Sequence, residues 1–171
     1  MPKIIEKYGF ISKLKKTWNI RLLTSDDANA IESFIELLND FFQLCEGNNG
    51  SWIEILNACP SSKNVDRDKF VLGLYDEHTL VGLLDIISDY PTKGVWTIGY
   101  LLIHPKCQGL GIGSRIIKDL EKALRPSKLR CVTQKQNVRA LRFWKSNGFV
   151  VTSQVNDTAG TLKNVTYVLE R

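Results

Sequence analysis

Histidine and cysteine are scarce in this chain, with two of the first and four of the second among 171 residues. Cys45, Cys59, Cys107 and Cys131 stand far apart with no C-x-x-C spacing, and only His78 and His104 accompany them. No metal site and no disulfide framework is expected from that set. Free thiols with mostly apolar neighbours suit a reducing compartment, so a cytoplasmic location is expected. Long apolar runs are missing too. Nothing approaches the ~20 residues of a membrane span, and the basic start of the chain lacks the continuous apolar core of a secretory signal. Repeats and low-complexity tracts are absent. At 43% hydrophobic and 24% charged residues, disordered, collagen-like and coiled-coil classes are set aside. What is present is enough sequence for one domain that buries its own core.

The net charge of +5 is unevenly placed: +5 over residues 1–24, −10 over 25–92 and +10 over 93–171. A basic half suits a phosphate-bearing partner and an acidic middle suits a cationic one, while solvated surface explains either equally well. Nucleic acid is not the expected partner, because no basic stripe is interleaved with aromatics, and no membrane partner is expected. Residues 1–17 read as a basic N-terminal extension. Ile4, Ile5, Tyr8, Phe10, Ile11 and Leu14 need cover, which predicts an extra element docked on a single domain spanning residues 18–171.

Periodicity organises that domain. A short strand at Asn19–Leu23 precedes one long helix whose apolar stripe runs from Ile31 through Phe34, Ile35, Leu38 and Phe42 to Cys45. A second helix is expected at Ser51–Ala58, then a polar loop at Pro60–Asp68 that is the best candidate for a mobile lid. Strands Phe70–Tyr75, Leu80–Ile87 and Val95–Ile103 form a meander. A helix carrying Ile116, Ile117, Leu120 and Leu124 follows, then a strand at Leu129–Thr133 and a helix capped by Asn137. Two strands around a turn at Asn156–Gly160 end the chain. The predicted class is α/β: a mixed, mostly antiparallel sheet covered by helices.

The most specific stretch is strand, Gln108-Gly109-Leu110-Gly111-Ile112-Gly113, helix. Alternate glycines let the backbone approach a bulky anion, and the free N–H groups and positive dipole end of a helix bind its oxygens. Neither the dinucleotide fingerprint nor a Walker loop fits, since no glycine stands at Ser114 or Ile116 and no Gly-Lys-Ser/Thr follows.

Gln108-x-x-Gly111-x-Gly113 resembles the acetyl-CoA pyrophosphate motif Q/R-x-x-G-x-G/A of the GNAT N-acetyltransferase superfamily. Leu101-Leu102-Ile103-His104-Pro105 resembles the strand before it, and Asn137-x-x-Ala140-x-x-Phe143-Trp144-x-x-x-Gly148-Phe149 resembles that family's second CoA-contacting element. The resemblance implies a fold whose splayed strands form the CoA cleft, acetyl-CoA as co-substrate, and no metal. It places the pyrophosphate on Gln108, Gly109, Leu110, Gly111, Ile112, Gly113 and Ser114. The pantetheine arm would lie along Leu101, Leu102 and Ile103, hydrogen-bonded by Asn137 and packed on by Ala140 and Phe143. The implied activity is transfer of acetyl to a primary amine by direct attack. Its acceptor is a small-molecule or peptide amine, and the enzyme a monomer or homodimer. The other reading is a non-catalytic acyl-CoA-binding module.

Two family positions are vacant. Where many members keep a glutamate on the strand before the loop, this chain has Gly99, and the usual proton-donating tyrosine is Trp144, whose indole N–H is no acid near neutral pH. Asp85, inside an apolar strand, is the first choice for a replacement base, with Tyr90 beside it at the strand's end. A structural ion pair explains Asp85 equally well. Asp89, Glu46 and Glu54 are weaker candidates. His104 reads as a solvent-exposed turn residue and Cys107 as a passive thiol.

Overall fold

The computed structural model describes residues 9–156 and 164–171. The expected turn at Asn156–Gly160 falls largely outside them, as do Ile4, Ile5 and Tyr8. Helix α1 (9–14) leads into strand β1 (Ile20–Leu22), and then come α2 (Ala28–Glu36), α3 (Asn39–Glu46), α4 (Trp52–Asn57) and α5 (Val65–Asp68). The meander is β2 (Lys69–Asp76), β3 (Thr79–Ile87) and β4 (Val95–Ile103), followed by α6 (Ile112–Leu124), β5 (Lys128–Gln134), α7 (Val138–Ser146), β6 (Val150–Asn156) and β7 (Val165–Glu170). The seven strands form one sheet in the order β1-β2-β3-β4-β5-β7-β6, in which only β4 and β5 run parallel.

The sheet buries both faces. On one, α1, α6 and α7 cover a core that includes Phe10, Leu72, Leu84, Ile117, Leu120 and Phe149; on the other, α2, α3 and α4 cover Ile31, Phe34, Phe42, Leu83 and Leu102. Amphipathic spacing accounts for each cover. In α6 the residues at 116, 117, 120 and 123 are buried on one stripe, and Arg125 in the left-handed region (φ 49°) ends the helix before Pro126.

Two sequence expectations are corrected. The long helix is two, because at Leu37–Leu38 the backbone tightens: Leu38 N–H bonds to the carbonyl of Ile35, three residues back, and Asn39 restarts the helix. That turn keeps Leu38 buried while the pair follows the curved sheet. The expected polar loop contains α5, capped by the Asn64 side chain on the N–H groups of Asp66 and Arg67. Asp68 is buried there and accepts from the Asn64 N–H, while Ser88 N–H bonds to the Asp68 carbonyl. These bonds hold residues 64–68 to the start of β2 and the end of β3.

The N-terminal helix is part of the main core. Phe10 packs edge-on against Phe70 and Trp96 at 5.4 and 5.5 Å between ring centroids, and Trp18 donates to Asp119 on α6. Truncating Leu14 to alanine, which empties a site only 2% exposed, is expected to destabilise the domain by about 2–4 kcal/mol, read as a lower urea midpoint at unchanged m-value.

Candidate functional site

Strands β4 and β5 pair only from Val95↔Lys128 to Ile98↔Cys131. Beyond those residues they diverge, and Tyr100–Ile103 keeps its pairing to β3 alone. Because His104 N–H bonds to Val81 on the β3 side, strand alternation turns the peptide groups of Leu101 and Ile103 toward the opening. A cleft of about 570 Å³ runs through it, from Gly111, Gly113 and Phe143 on the α6–α7 face, past Leu101–Ile103, to Leu38, Phe41 and Leu44 on the α2–α3 face.

The N-terminus of α6 forms the cleft's polar end. Gly109 and Gly111 have φ of 78° and 77°, a region open to glycine at little cost, and a Cβ on either would meet no atom within 4 Å. The space above them is therefore free for a ligand. Gly113 is small for a different reason: a Cβ there would stand 3.0 Å from the Phe143 ring, so glycine lets α6 and α7 close on each other. The first intrahelical bond runs from Arg115 N–H to the Gly111 carbonyl, which leaves the amides of Ile112, Gly113 and Ser114 without helical acceptors, as at any helix start. Gln108 does not point its side chain at that space. Its Nε2 donates to the Ile103 carbonyl at 2.8 Å and ties the turn to the end of β4.

Asn137 is also occupied. Its Oδ1 caps α7 on Ala140 N–H, and its Nδ2 donates to Cys45 Sγ at 3.4 Å, so the side chain holds α7 to α3. Ala140, Phe143 and Asn137 all line the cleft.

Residues 31–149, which span the cleft and both of its covering layers, match the Acetyltransferase (GNAT) family. The protein belongs to the GNAT acetyltransferase family. Solved structures of the same fold include an acetyltransferase from Thermus thermophilus, 22% identical over 91% of this chain and 96% of that one, with a TM-score of 0.67. The PaiA N-acetyltransferase of Thermoplasma acidophilum, in complex with coenzyme A, is 17% identical over 91% and 98% (TM-score 0.63). The yncA protein of Salmonella typhimurium, with its cofactor acetyl-CoA, is 17% identical over 91% and 93% (TM-score 0.59). No curated protein is significantly similar in sequence.

The acyltransferase cleft does not include the two residues singled out for catalysis. Asp85 is 3% exposed and forms an ion pair with Lys69, Nζ to Oδ2 2.7 Å, in which both side chains are buried. Tyr90 lies at the closed end of the β4–β5 pair, its carbonyl accepting from Thr97 and its ring under Arg130. Trp144 is buried against Phe143 and Phe149. His104 caps the short turn at Pro105–Cys107 by accepting from Lys106 N–H.

Gly99 and Asp85 form one feature. A β-bulge between Asp85 and Ile86 leaves Gly99 as the extra residue of β4, and a Cβ on Gly99 would collide with Asp85 Oδ2. The bulge also re-aims the rest of the strand. Ile98 and Leu101, three apart, share the α6 face, and Tyr100 is turned to the α3 face. There its hydroxyl donates a short hydrogen bond to Glu46 at the end of α3. No sequence spacing announces that pair.

Burial pushes the Asp85 carboxyl up to about 6, against the opposing pull of Lys69. With the folded value above the unfolded one, the native state holds a proton between 3.8 and about 6 that the unfolded chain releases. The stabilisation this gives is complete below that window and lost as pH rises through it. Urea unfolding from pH 4 to 7 should show the stability of the wild type, relative to Asp85→Asn, falling across the window. Removing one partner alone, as in Lys69→Met, is expected to cost about 3–5 kcal/mol, most of it recovered in the Lys69→Met/Asp85→Leu double variant.

Proposed function

We propose that the protein is an acetyl-CoA-dependent N-acetyltransferase that moves acetyl from the CoA thioester to a primary amine of a cationic acceptor by direct attack. The observation that carries this reading is the continuity of the cleft, which joins an anion-binding helix start to the α3 side, where Asp40 lines it, through a gap between strands. The residues fit an acyl-CoA. Amides of Ile112, Gly113 and Ser114, with the open backbone of Gly109–Gly111, suit a pyrophosphate. Leu101 and Ile103 offer peptide groups to the amides of an extended pantetheine arm, with Leu102 between them and Ala140 and Phe143 as apolar wall.

Bound acetyl-CoA supplies an activated acetyl carbonyl. The chain's own tasks are to hold it, to exclude water, to stabilise an oxyanion with a backbone N–H of the splayed strand, and to remove a proton from the amine. The last is the hardest. A lysine-like amine of pKa ~10.4 is deprotonated at pH 7 at a cost of about 4–5 kcal/mol, whereas a thiol of pKa ~8.5 leaves with little help. Direct attack is favoured over an acyl-enzyme because the thiol of the cleft, Cys107, has no histidine side chain bonded to it among the described residues, and the nearby His104 ring accepts from Lys106 N–H instead.

Gly111→Ala tests the cradle, because a Cβ there meets no protein atom within 4 Å. It is expected to weaken acetyl-CoA binding about tenfold by titration calorimetry, with urea unfolding run beside it to read separately the strain of its positive φ. With the wild type and a panel of primary amines, free thiol release is expected. Tight binding without any release would favour the non-catalytic acyl-CoA-binding module instead.

A further inference from the structure

A carboxylate without a cation stands next to Cys45, whose thiol accepts from Asn137 of the cleft wall. Glu46 is the last residue of α3, half-buried, and held in place where Gly47 turns the chain in the left-handed region (φ 68°). Its Oε1 accepts from the Tyr100 hydroxyl. Among the described residues nothing hydrogen-bonds to Oε2 and no lysine or arginine pairs with Glu46. That is unusual for a half-buried charge in a chain with 23 basic side chains. The two fully buried acids of the same segment each have a cation, Asp68 beside Arg67 and Asp85 beside Lys69.

The neighbours of Glu46 fit an ammonium ligand. Phe41 lines the cleft and its ring stands 6.4 Å from that of Tyr100, while Phe42, 6.1 Å from Tyr100, is fully buried in the core. The partly exposed rings of Phe41 and Tyr100 together with an unpaired carboxylate attract a cation. The titratable and charged groups facing Glu46 are Tyr100 from β4, Glu54 from α4 and Cys45 on its own helix, with the Asp85–Lys69 pair beneath Tyr100. Burial first, and Glu54 in addition, push the Glu46 carboxyl up, while the Tyr100 hydrogen bond draws it down. Tyr100 itself is raised well above the usual phenol range, chiefly by burial, so it stays a donor.

Resting on the acetyltransferase reading above, we propose that Glu46 is the catalytic base, receiving the acceptor's ammonium on Oε2, and that Tyr100 is the residue that positions it. The amine arrives as R–NH3+, and Glu46 takes one proton. The freed nitrogen lone pair forms the C–N bond to the acetyl carbon, and the C–S bond breaks with its electron pair on sulfur. The second nitrogen proton passes to the CoA thiolate, and Glu46 returns its own to solvent. The bulge at Gly99 serves this arrangement by aiming Tyr100 at α3 rather than at α6.

The test compares Glu46→Gln and Tyr100→Phe with the wild type, using thiol release from acetyl-CoA with hexylamine, which is charged at pH 7, and trifluoroethylamine, which is mostly neutral there. Acetyl-CoA affinity is measured separately by calorimetry. Glu46→Gln should bind acetyl-CoA as the wild type does and lose about 10²–10⁴-fold in kcat/KM for hexylamine at pH 7. The loss should narrow toward pH 10 and be small for trifluoroethylamine. In Tyr100→Phe the acidic limb of the kcat/KM profile should move to higher pH, because the bond that draws Glu46 down is gone. Glu46→Gln with an undiminished hexylamine rate at pH 7, or equal losses for both amines, overturns the assignment and leaves the transferase reading standing. A wild type that binds acetyl-CoA and releases thiol with neither amine overturns both.

Discussion

The site depends on a hydrogen-bonding ladder that stops early. β4 and β5 are joined over four residue pairs, and past Ile98 the outward peptide groups of β4 have no strand beside them. Unpaired peptide groups inside a protein are costly, so an opening of this kind closes unless it is braced or filled. Here it is braced from both faces. On one, Gly113 lets α6 and α7 touch through Phe143. On the other, Gln136 and Asn164 reach the carbonyls of Leu44 and Cys45, and Asn137 reaches the Cys45 thiol. An extended ligand with amides of its own completes the ladder in the manner of an added strand.

The same strand carries the second constraint, a buried ion pair in the middle of the sheet. Lys69 and Asp85 gain Coulomb energy at the expense of two hydration shells, and Asp85 Oδ1 is left without a hydrogen-bond partner. Apolar residues at both places would hold the sheet nearly as well. The pair nevertheless has a geometric consequence. Its carboxylate fills the volume that a side chain at position 99 would need, so glycine there and the bulge around it belong together. Position 99 thus carries no side chain, and the bulge around it sends Tyr100 to the α3 face.

Much of this is legible in the sequence and some is not, for reasons that differ in kind. β4 can be read with its observed bounds, because an alternating apolar run between a glycine turn and a proline has few other solutions. The helix start at Gly111 and the Asn137 cap are legible because each rests on local backbone geometry. The break at Leu37–Leu38 is not, since the apolar stripe continues through it and no glycine or proline marks it. Asp85 illustrates a deeper limit. Its burial in an apolar strand is plain, but whether it meets a cation depends on Lys69, sixteen positions earlier, lying across β2 in the right register. Glu46 and Tyr100, 54 positions apart, meet only because a one-residue bulge flips the face of β4.

Segmental charge is likewise a blunt instrument. Among the described residues only the Arg21–Asp27 pair joins two of the charge segments; Arg67–Asp68, Lys69–Asp85, Lys128–Glu170 and Arg171–Glu121 each lie within one segment and are already cancelled in its net charge. Pairs of that sort cancel at a distance, and exposed charges are screened within about 10 Å at ordinary salt. What a ligand meets is the remainder at the cleft. At one end these are backbone amides and Arg139, and on the α3 side Asp40. On the reading proposed above, a half-buried Glu46 against aromatic rings, where the field is less screened than at the surface, would bear more on acceptor choice than the distant charges of the same segment.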